Sequence, residues 1–220
     1  MFDLLLERFT PFVEAVVVVV HPSFSEPIRD HLRTSASLPF DIAVQEQPTG
    51  MLDAILRAAP CIEPDTFDRV WIVWCDQVGV LPETLGRLVK AEPAGSPALA
   101  FPVVRRTEPY IHFPRDADGR ITGVLQRREH DTLPDEGESD MGVFSLSMTA
   151  YSERLPEFAA SVSVGRGTGE RNFLPFIPWL AARDLVVTVP CTDPHEAVGI
   201  NTPDELAAVE AWLHRRTSRS

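Results

Sequence analysis

The chain has 220 residues, 44% of them hydrophobic and 24% charged, which is the composition of an ordinary globular protein with a buried core. Its formal net charge of −12 argues against nucleic acid or an anionic membrane surface as a partner, because both require a positive field. There is no apolar run of about 18 residues, and the amino end has acids but no basic leader, so we expect neither a membrane span nor a secretory signal. Three widely spaced cysteines fit neither a disulfide framework nor a zinc site, which favours a reducing cytoplasm.

The first ninety residues alternate between strand and helix patterns. Predicted strands cover residues 14–23, 40–47 and 69–76, and predicted helices cover residues 2–14, 25–34, 48–59 and 81–91. Such alternation predicts a parallel sheet covered by helices. In sheets of this kind ligands bind beyond the carboxyl ends of the strands, and Asp76 stands at the end of the third predicted strand.

The second half of the chain has a more antiparallel pattern. Predicted strands cover 98–106, 141–148 and 185–190, a hairpin covers 110–129 with its turn at 116–119, and predicted helices cover 149–162, 171–184 and 201–217. No repeat or low-complexity linker separates the halves, so we predict a single domain over residues 1–220.

Three polar stretches contain the candidate functional residues. Asp76, at a strand tip, is either a helix cap or a metal ligand. The loop that contains Gln45 and Gly50 lets backbone groups approach a flat ligand, or is a plain turn in which Gly50 takes a positive φ. Asn201 is either the N-cap of the last helix or an amide oxygen suited to Mg²⁺, which takes few protein ligands together with water and phosphate oxygens.

In their order and spacing these stretches resemble the sugar-1-phosphate nucleotidyltransferases, a family with a GT-A-like fold, over nearly the whole chain. The resemblance implies an α/β fold with a Rossmann-like, mostly parallel mixed sheet and helices on both faces. It implies a nucleotide-binding half (residues 1–97) and an acceptor-binding half (residues 98–220). The implied reaction transfers a nucleotidyl group from an NTP to a sugar-1-phosphate or similar phosphorylated small-molecule acceptor and releases pyrophosphate, with Mg²⁺ as cofactor.

The resemblance also implies residue roles on the nucleotide side. "QEQPTGMLDAI" is similar to the family's base-recognition loop, with Gln45, Gly50 and Met51 at base-contacting positions. "WCDQVGV" is similar to its metal-binding strand end, with Asp76 as ligand and Cys75 where a glycine is common. "GINTPDELAAVE" is similar to its closing segment, which makes Asn201 the second metal ligand.

On the acceptor side the resemblance is looser. The positions implied to contact the acceptor are Tyr110, Gln126, Glu138, Asp140, Gly142 and Glu170. Asp140 stands where the family has an asparagine, and Leu174 and Pro175 stand where it has a Thr-Asp pair. Neither the acceptor nor the base that the loop reads is therefore assigned.

One family feature has no counterpart in these 220 residues. The family has a glycine-rich loop after its first strand, followed by a lysine, whereas this chain has no such stretch and its only lysine is Lys90. Because that strand is central in the family's sheet, its neighbours are expected to expose unpaired backbone groups and apolar faces. Three explanations stay open: a truncated sequence, which we prefer; loss of catalysis; or a partner chain or second copy that supplies the strand.

Two other functions stay open beside the transferase. A non-catalytic module that binds a nucleotide or sugar nucleotide would use the same fold. A molybdopterin-type cytidylyltransferase would share the opening architecture, although the long hairpin and the "GESD" strand argue against it.

Overall fold

A computed structural model describes residues 1–93 and 96–217. The helices in this part of the chain are α1 (Phe2–Phe9), α2 (Ser25–Ser35), α3 (Met51–Arg57), α4 (Pro82–Ala91), α5 (Leu155–Ser161), α6 (Phe176–Ala181) and α7 (Pro203–Thr217). The strands are β1 (Val16–Val20), β2 (Phe40–Val44), β3 (Arg69–Val73), β4 (Leu99–Thr107), β5 (Ile111–His112), β6 (Leu125–Gln126), β7 (Glu136–Asp140), β8 (Val143–Ser147) and β9 (Val186–Pro190). The predicted α/β class is confirmed, and each predicted strand and helix has a counterpart.

The main sheet is mixed and is built around β4. Strand β9 runs parallel to one edge of β4, while β8 and β7 pair antiparallel with successive parts of its other edge. Strand β3 then pairs antiparallel with β8. The long central strand is buried from Leu99 to Val104 because neighbours cover both of its edges and helices cover both faces.

Two predicted elements differ from the observed ones because of single residues. The predicted strand at 141–148 is shorter, since Gly142 has φ of +66° and separates β7 from β8. The predicted helix at 171–184 is reduced to α6, which begins directly after Pro175. The hairpin is confirmed: β5 pairs antiparallel with β6, and the Oδ1 atom of Asp116 accepts hydrogen bonds from two backbone N–H groups of its turn.

Two apolar clusters occupy the two faces of the main sheet, and β3 contributes to both. Ile72 packs in the cluster that includes Ile55 of α3, and Trp71 packs in the cluster that includes Leu5 and Phe9 of α1. Helices therefore cover both faces, as the sequence predicts. No helix within the described ranges has the length and apolar character that a bilayer crossing requires.

Strands β1 and β2 form a separate parallel pair. Within the described part of the chain no strand joins β1 to β3. Between these two strands lies a cavity of about 1780 Å³, which we call the central groove, lined on opposite sides by Val16–Val19 and by Arg69–Val73. The resemblance described above implies a strand that residues 1–220 do not contain, and this gap lies between the two strands that would be its neighbours.

Candidate functional site

Asp76 lies just beyond β3, at one end of the central groove. The Trp74 N–H donates to the Gly142 carbonyl at 2.8 Å, which continues the pairing of β3 with β8. The Gln77 N–H then donates back to the Trp74 carbonyl at 3.2 Å, so the chain turns at this point. The turn leaves the Asp76 side chain half-buried in the lining of the groove.

Asn201 comes to the same place because its segment is bonded to this turn. The Ile200 N–H donates to the backbone carbonyl of Asp76 at 3.0 Å. A β-carbon built on Gly199 would lie 2.9 Å from Asp76 Oδ2 and 3.5 Å from Asn201 Nδ2. The two predicted metal ligands, separated by 125 positions in the sequence, thus have their side-chain ends around one point, and only a glycine leaves that point open.

The segment that carries Asn201 is held at both ends by hydrogen bonds. Glu196 is fully buried and accepts hydrogen bonds from the backbone N–H groups of Leu81 and Asp193 at 3.0 and 3.1 Å. At the start of α7, the Thr202 hydroxyl accepts from the Glu205 N–H at 3.2 Å. The cap of the last helix is therefore Thr202, and the side-chain amide of Asn201 is left facing the groove.

Two carboxyl groups around this point, those of Asp76 and Asp140, have raised pKa values. Burial raises the pKa of Asp76, and the Glu205 carboxylate raises it further. Burial raises the pKa of Asp140 to about 6, although Arg106 opposes the shift. The Oδ2 atom of Asp140 accepts from the Gly142 N–H at 2.9 Å, while its buried Oδ1 atom has no hydrogen-bond partner among the described residues. Asp76, Glu205 and Asp140 give this end of the groove a negative field, which suits a cation.

No group of three or more His, Cys, Asp or Glu side chains in the described ranges is placed to hold a metal ion. The donors that Asp76 and Asn201 supply are a carboxylate and an amide, and the amide can present its oxygen by rotation. Such a pair suits a hard cation that completes its coordination with water and with ligand oxygens.

The loop predicted to recognise a base is bonded to the segment that precedes α6. The Arg171 N–H donates to the Thr49 carbonyl at 2.8 Å, and the Leu52 N–H donates to the Arg171 carbonyl at 3.1 Å. Gly50 has φ of +122°, and a β-carbon there would collide with the Arg171 backbone. Gln45 donates through Nε2 to the Gly50 carbonyl at 3.1 Å. Gln45 and Met51 both line the groove, whereas Gly50 shapes the turn.

Several predicted acceptor contacts also reach the groove. Tyr110, Gln126 and Asp140 line it, with Tyr110 exposed and Gln126 buried. The Oε1 atom of Gln126 accepts from Asn172 Nδ2 at 2.6 Å. Gly142 acts through packing, because a β-carbon at this residue would collide with the side chains of Gln77 and Trp74.

Two predicted acceptor contacts do not lie among the residues that line the groove. The Glu138 carboxylate forms an ion pair with Arg115, whose guanidinium also donates to the Thr188 hydroxyl at 2.9 Å. Glu170 belongs to a turn in which its backbone carbonyl accepts from the Gly165 N–H at 2.8 Å. The acceptor roles of Glu138 and Glu170 therefore stay predictions.

Four residues of the site escaped sequence reasoning: Gly199, Arg106, Gln77 and Asn172. Arg106 lines the groove and donates to the Ala197 carbonyl at 2.9 Å. Gln77 has a buried Oε1 atom without a hydrogen-bond partner among the described residues. Only Gly199 carried a usable sequence signal, as a glycine two residues before a proposed metal ligand.

Comparisons with solved structures support the fold. HddC from Yersinia pseudotuberculosis superposes with a TM-score of 0.62 at 15% identity, covering 96% of this chain and 82% of that one. The 4-diphosphocytidyl-2C-methyl-D-erythritol synthase from Anaerococcus prevotii superposes with a TM-score of 0.68 at 10% identity, covering 97% of this chain and 88% of that one. At these identities the likeness shows the shared fold alone.

Comparisons of sequence identify relatives and a family. The bifunctional protein GlmU of Geobacter metallireducens is 27% identical over 210 residues, which are 93% of this chain and 42% of that protein. GlmU of Acidithiobacillus ferrooxidans is 29% identical over 183 residues, which are 80% of this chain and 38% of that protein. The chain thus spans about two fifths of the length of these relatives. A family model described as a MobA-like NTP transferase domain matches residues 1–138, more than half of the chain, and the protein therefore belongs to that family.

Proposed function

We propose that this protein is a nucleotidyltransferase that binds an NTP with Mg²⁺ in the central groove and transfers the nucleotidyl group to a sugar-1-phosphate or similar phosphorylated acceptor. Pyrophosphate is the second product. The observation that carries the proposal is the meeting of the Asp76 carboxylate and the Asn201 amide around Gly199. Asp76 follows a strand within the residues that the MobA-like NTP transferase domain model matches.

The chain's own residues would then have distinct tasks. Asp76 and Asn201 would hold Mg²⁺, which neutralises charge on the phosphates as the acceptor oxygen attacks the α-phosphate. Gln45 and Met51 would contact the base from the loop before α3, and Gly50 would give that loop its shape. The rate gain would come from positioning and charge neutralisation, without a covalent enzyme intermediate.

The acceptor would lie against the part of the groove lined by Tyr110, Gln126 and Asp140. Gln126 is already oriented by Asn172, so its amide can present a fixed polar group to a hydroxyl. The chemistry of this wall suits a polar acceptor. A cytoplasmic location remains a prediction from cysteine usage.

A second candidate function rests on one feature of the sequence. Residues 1–49 contain no glycine, so they do not themselves supply a glycine-rich loop of the kind that cradles a triphosphate. Residues 1–220 alone would then catalyse the transfer only weakly. The alternative function is a module that binds a nucleotide without transferring it.

Calorimetric titration with the four NTPs, with and without Mg²⁺, tests the proposal. We expect at least one NTP to bind in a Mg²⁺-dependent manner, and Asp76→Asn to weaken that binding at least about tenfold by removing one charged ligand. Asp118→Asn is the matched control, because Asp118 is exposed in the hairpin turn, outside the groove.

A pyrophosphate-release assay with phosphorylated acceptors separates the two functions. Release that depends on Asp76 supports the transferase, and binding without release supports the module. No Mg²⁺-dependent binding of any NTP, or equal binding by Asp76→Asn and Asp118→Asn, would contradict both.

A further inference from the structure

Two buried side-chain amides, those of Gln126 and Asn172, meet in the wall of the central groove. The Oε1 atom of Gln126 accepts from Asn172 Nδ2 at 2.6 Å, and both residues line the groove. A side-chain amide has a donor end and an acceptor end of nearly the same shape, and its neighbours determine which end points where. The hydrogen bonds around this pair therefore decide what Gln126 offers to a molecule in the groove.

The orientation of Asn172 is fixed by its own backbone turn. The Leu174 N–H donates to Asn172 Oδ1 at 3.2 Å. A backbone N–H can only donate, so the atom that it meets must be the amide oxygen. The other end of the Asn172 amide, Nδ2, faces Gln126 and can only donate. Gln126 must therefore meet it with its oxygen.

The residue before Asn172 holds this turn in place. The Arg171 N–H donates to the Thr49 carbonyl at 2.8 Å, and the Arg171 carbonyl accepts from the Leu52 N–H at 3.1 Å. The Arg171 guanidinium also forms an ion pair with the carboxylate of Asp53 in α3. The main chain on one side of Asn172 is thus bonded to the loop that precedes α3 and to the helix itself.

Gln126 has one end of its amide left for a ligand. Its backbone N–H donates to Asp131 Oδ2 at 2.9 Å, and its backbone carbonyl accepts from the Asp131 N–H at 3.3 Å. Its Oε1 atom is used by Asn172. Among the hydrogen bonds of the described residues, none uses Gln126 Nε2, which carries two N–H groups. A ligand oxygen beside this atom would gain a donor whose direction is already set.

We propose that Asn172 is a positioning residue that fixes the Gln126 amide with its N–H groups toward the ligand in the central groove, so that the phosphorylated substrate must present an oxygen there. A hydroxyl or carbonyl group fits this place, and an ammonium group does not. The selection rests on the proposed function, because it requires a phosphorylated substrate in the groove. The orientation of the amide does not rest on it.

The physical basis of the selection is the cost of two donors that face each other. A hydroxyl oxygen accepts from the Gln126 N–H groups, whereas an ammonium group has donors only. Binding of an ammonium would leave buried N–H groups on both sides without a partner, and such groups are costly. Gln126 cannot turn its oxygen to the ammonium without turning its own N–H groups toward those of Asn172.

Hydrogen exchange of the two side-chain amides tests the orientation in the parent protein without any substrate. We expect the Nδ2 hydrogens of Asn172 to exchange at least ~10-fold more slowly than the Nε2 hydrogens of Gln126, because only the former donate to a protein oxygen. Heteronuclear NMR measures both rates, and Asn172→Asp and Gln126→Glu assign the signals, since each variant removes one of them. Equal rates, or slower exchange at Gln126, would overturn the proposal.

Pyrophosphate release tests the selection with pairs of hexose-1-phosphates that differ by a hydroxyl or an ammonium group at one ring position, taken position by position. At one position we expect the parent protein to favour the hydroxyl by at least about tenfold in kcat/KM. Gln126→Glu replaces the N–H groups by a carboxylate oxygen of the same reach and should reverse the preference at that position.

Asn172→Asp tests the positioning role, because it leaves Gln126 itself unchanged. The new carboxylate still accepts from the Leu174 N–H but offers an oxygen to Gln126, whose amide should turn and present Oε1 to the groove. We expect the preference to shift toward the ammonium, as in Gln126→Glu. The same substitution in a Gln126→Met background keeps the added charge and lacks the amide, so it should give no shift.

The outcomes separate this proposal from the proposed function. Normal turnover by the parent protein with an unchanged preference in Gln126→Glu and Asn172→Asp would overturn the selection and leave the transferase intact. An equal shift in the Gln126→Met background would assign the effect to charge, and would overturn the positioning role. If the parent protein releases no pyrophosphate, calorimetric binding of the same sugar phosphates replaces kcat/KM. No binding of any of them would contradict the proposed acceptor site, and the selection with it.

Discussion

Strand β1 and the first six residues of β4 are both apolar, but their surroundings differ. All five valines of β1 are half-buried, whereas β4 is buried throughout its first six residues. Strand β4 has neighbours along both edges, and β1 has only β2 within the described part of the chain. The difference shows that neighbouring strands, and not hydrophobicity alone, determine how much of an apolar strand is removed from water.

Truncation of one buried and one half-buried side chain should give the largest contrast. Phe144 of β8 is fully buried among aromatic rings, so Phe144→Ala should lower the free energy of unfolding by about 3–5 kcal/mol. Val18 of β1 is half-buried, so Val18→Ala should lower it by about 1 kcal/mol or less. Urea titration followed by circular dichroism measures both, and equal losses would contradict the contrast between the two regions.

A second prediction concerns Asp140, which lies where the main sheet meets the groove. Its pKa of about 6 in the folded protein exceeds the ordinary aspartate value of 3.8, so the folded state retains a proton that the unfolded state loses. The contribution of this group to stability is therefore present below about pH 4 and is lost as the pH rises through 6. The two charged groups that act on it are Arg106, which lowers the pKa, and Asp76, which raises it.

Asp140→Asn removes this titration. We expect the variant to gain up to roughly 3 kcal/mol relative to the parent protein between pH 4 and pH 7. Urea titrations of the variant and the parent protein at a series of pH values measure the difference in free energy of unfolding. If the variant instead gained stability relative to the parent protein as the pH falls, the Asp140 carboxylate would be stabilised as the anion.

The third prediction contrasts two glycines, one at the site and one on a helix surface. A β-carbon at Gly199 would lie 2.9 Å from Asp76 Oδ2 and 3.0 Å from Gln77 Nε2, so Gly199→Val should separate the two proposed metal ligands. We expect Mg²⁺-dependent NTP binding to weaken about tenfold, which corresponds to about 1.4 kcal/mol. Gly86→Ala is the matched control, since its β-carbon meets nothing within 4 Å, and the variant should bind normally and be up to about 1 kcal/mol more stable. Titration calorimetry on both variants checks this, and normal binding by Gly199→Val would contradict the placement of the cation.

Much of the fold could be predicted because strand and helix periods in this chain agree with the final elements. The break at Gly142 could not, since a lone glycine in an apolar run reads equally as part of a strand, and only the approach of Trp74 and Gln77 explains it. Asp76 and Asn201 were predicted as ligands from their positions at element ends, and their side chains lie around Gly199 in the structure. The ion pair of Glu138 with Arg115 could not be predicted, because it joins β7 to the hairpin and sequence alone does not show that the two lie side by side.

The most direct test of the proposed metal site is anomalous diffraction from crystals grown with Mn²⁺ and the NTP that binds best. The account predicts a single strong peak about 2.0–2.3 Å from a carboxylate oxygen of Asp76 and from the side-chain oxygen of Asn201, beside the phosphates. Bound nucleotide with the peak elsewhere, or with no Mn²⁺ between these two side chains, would contradict it.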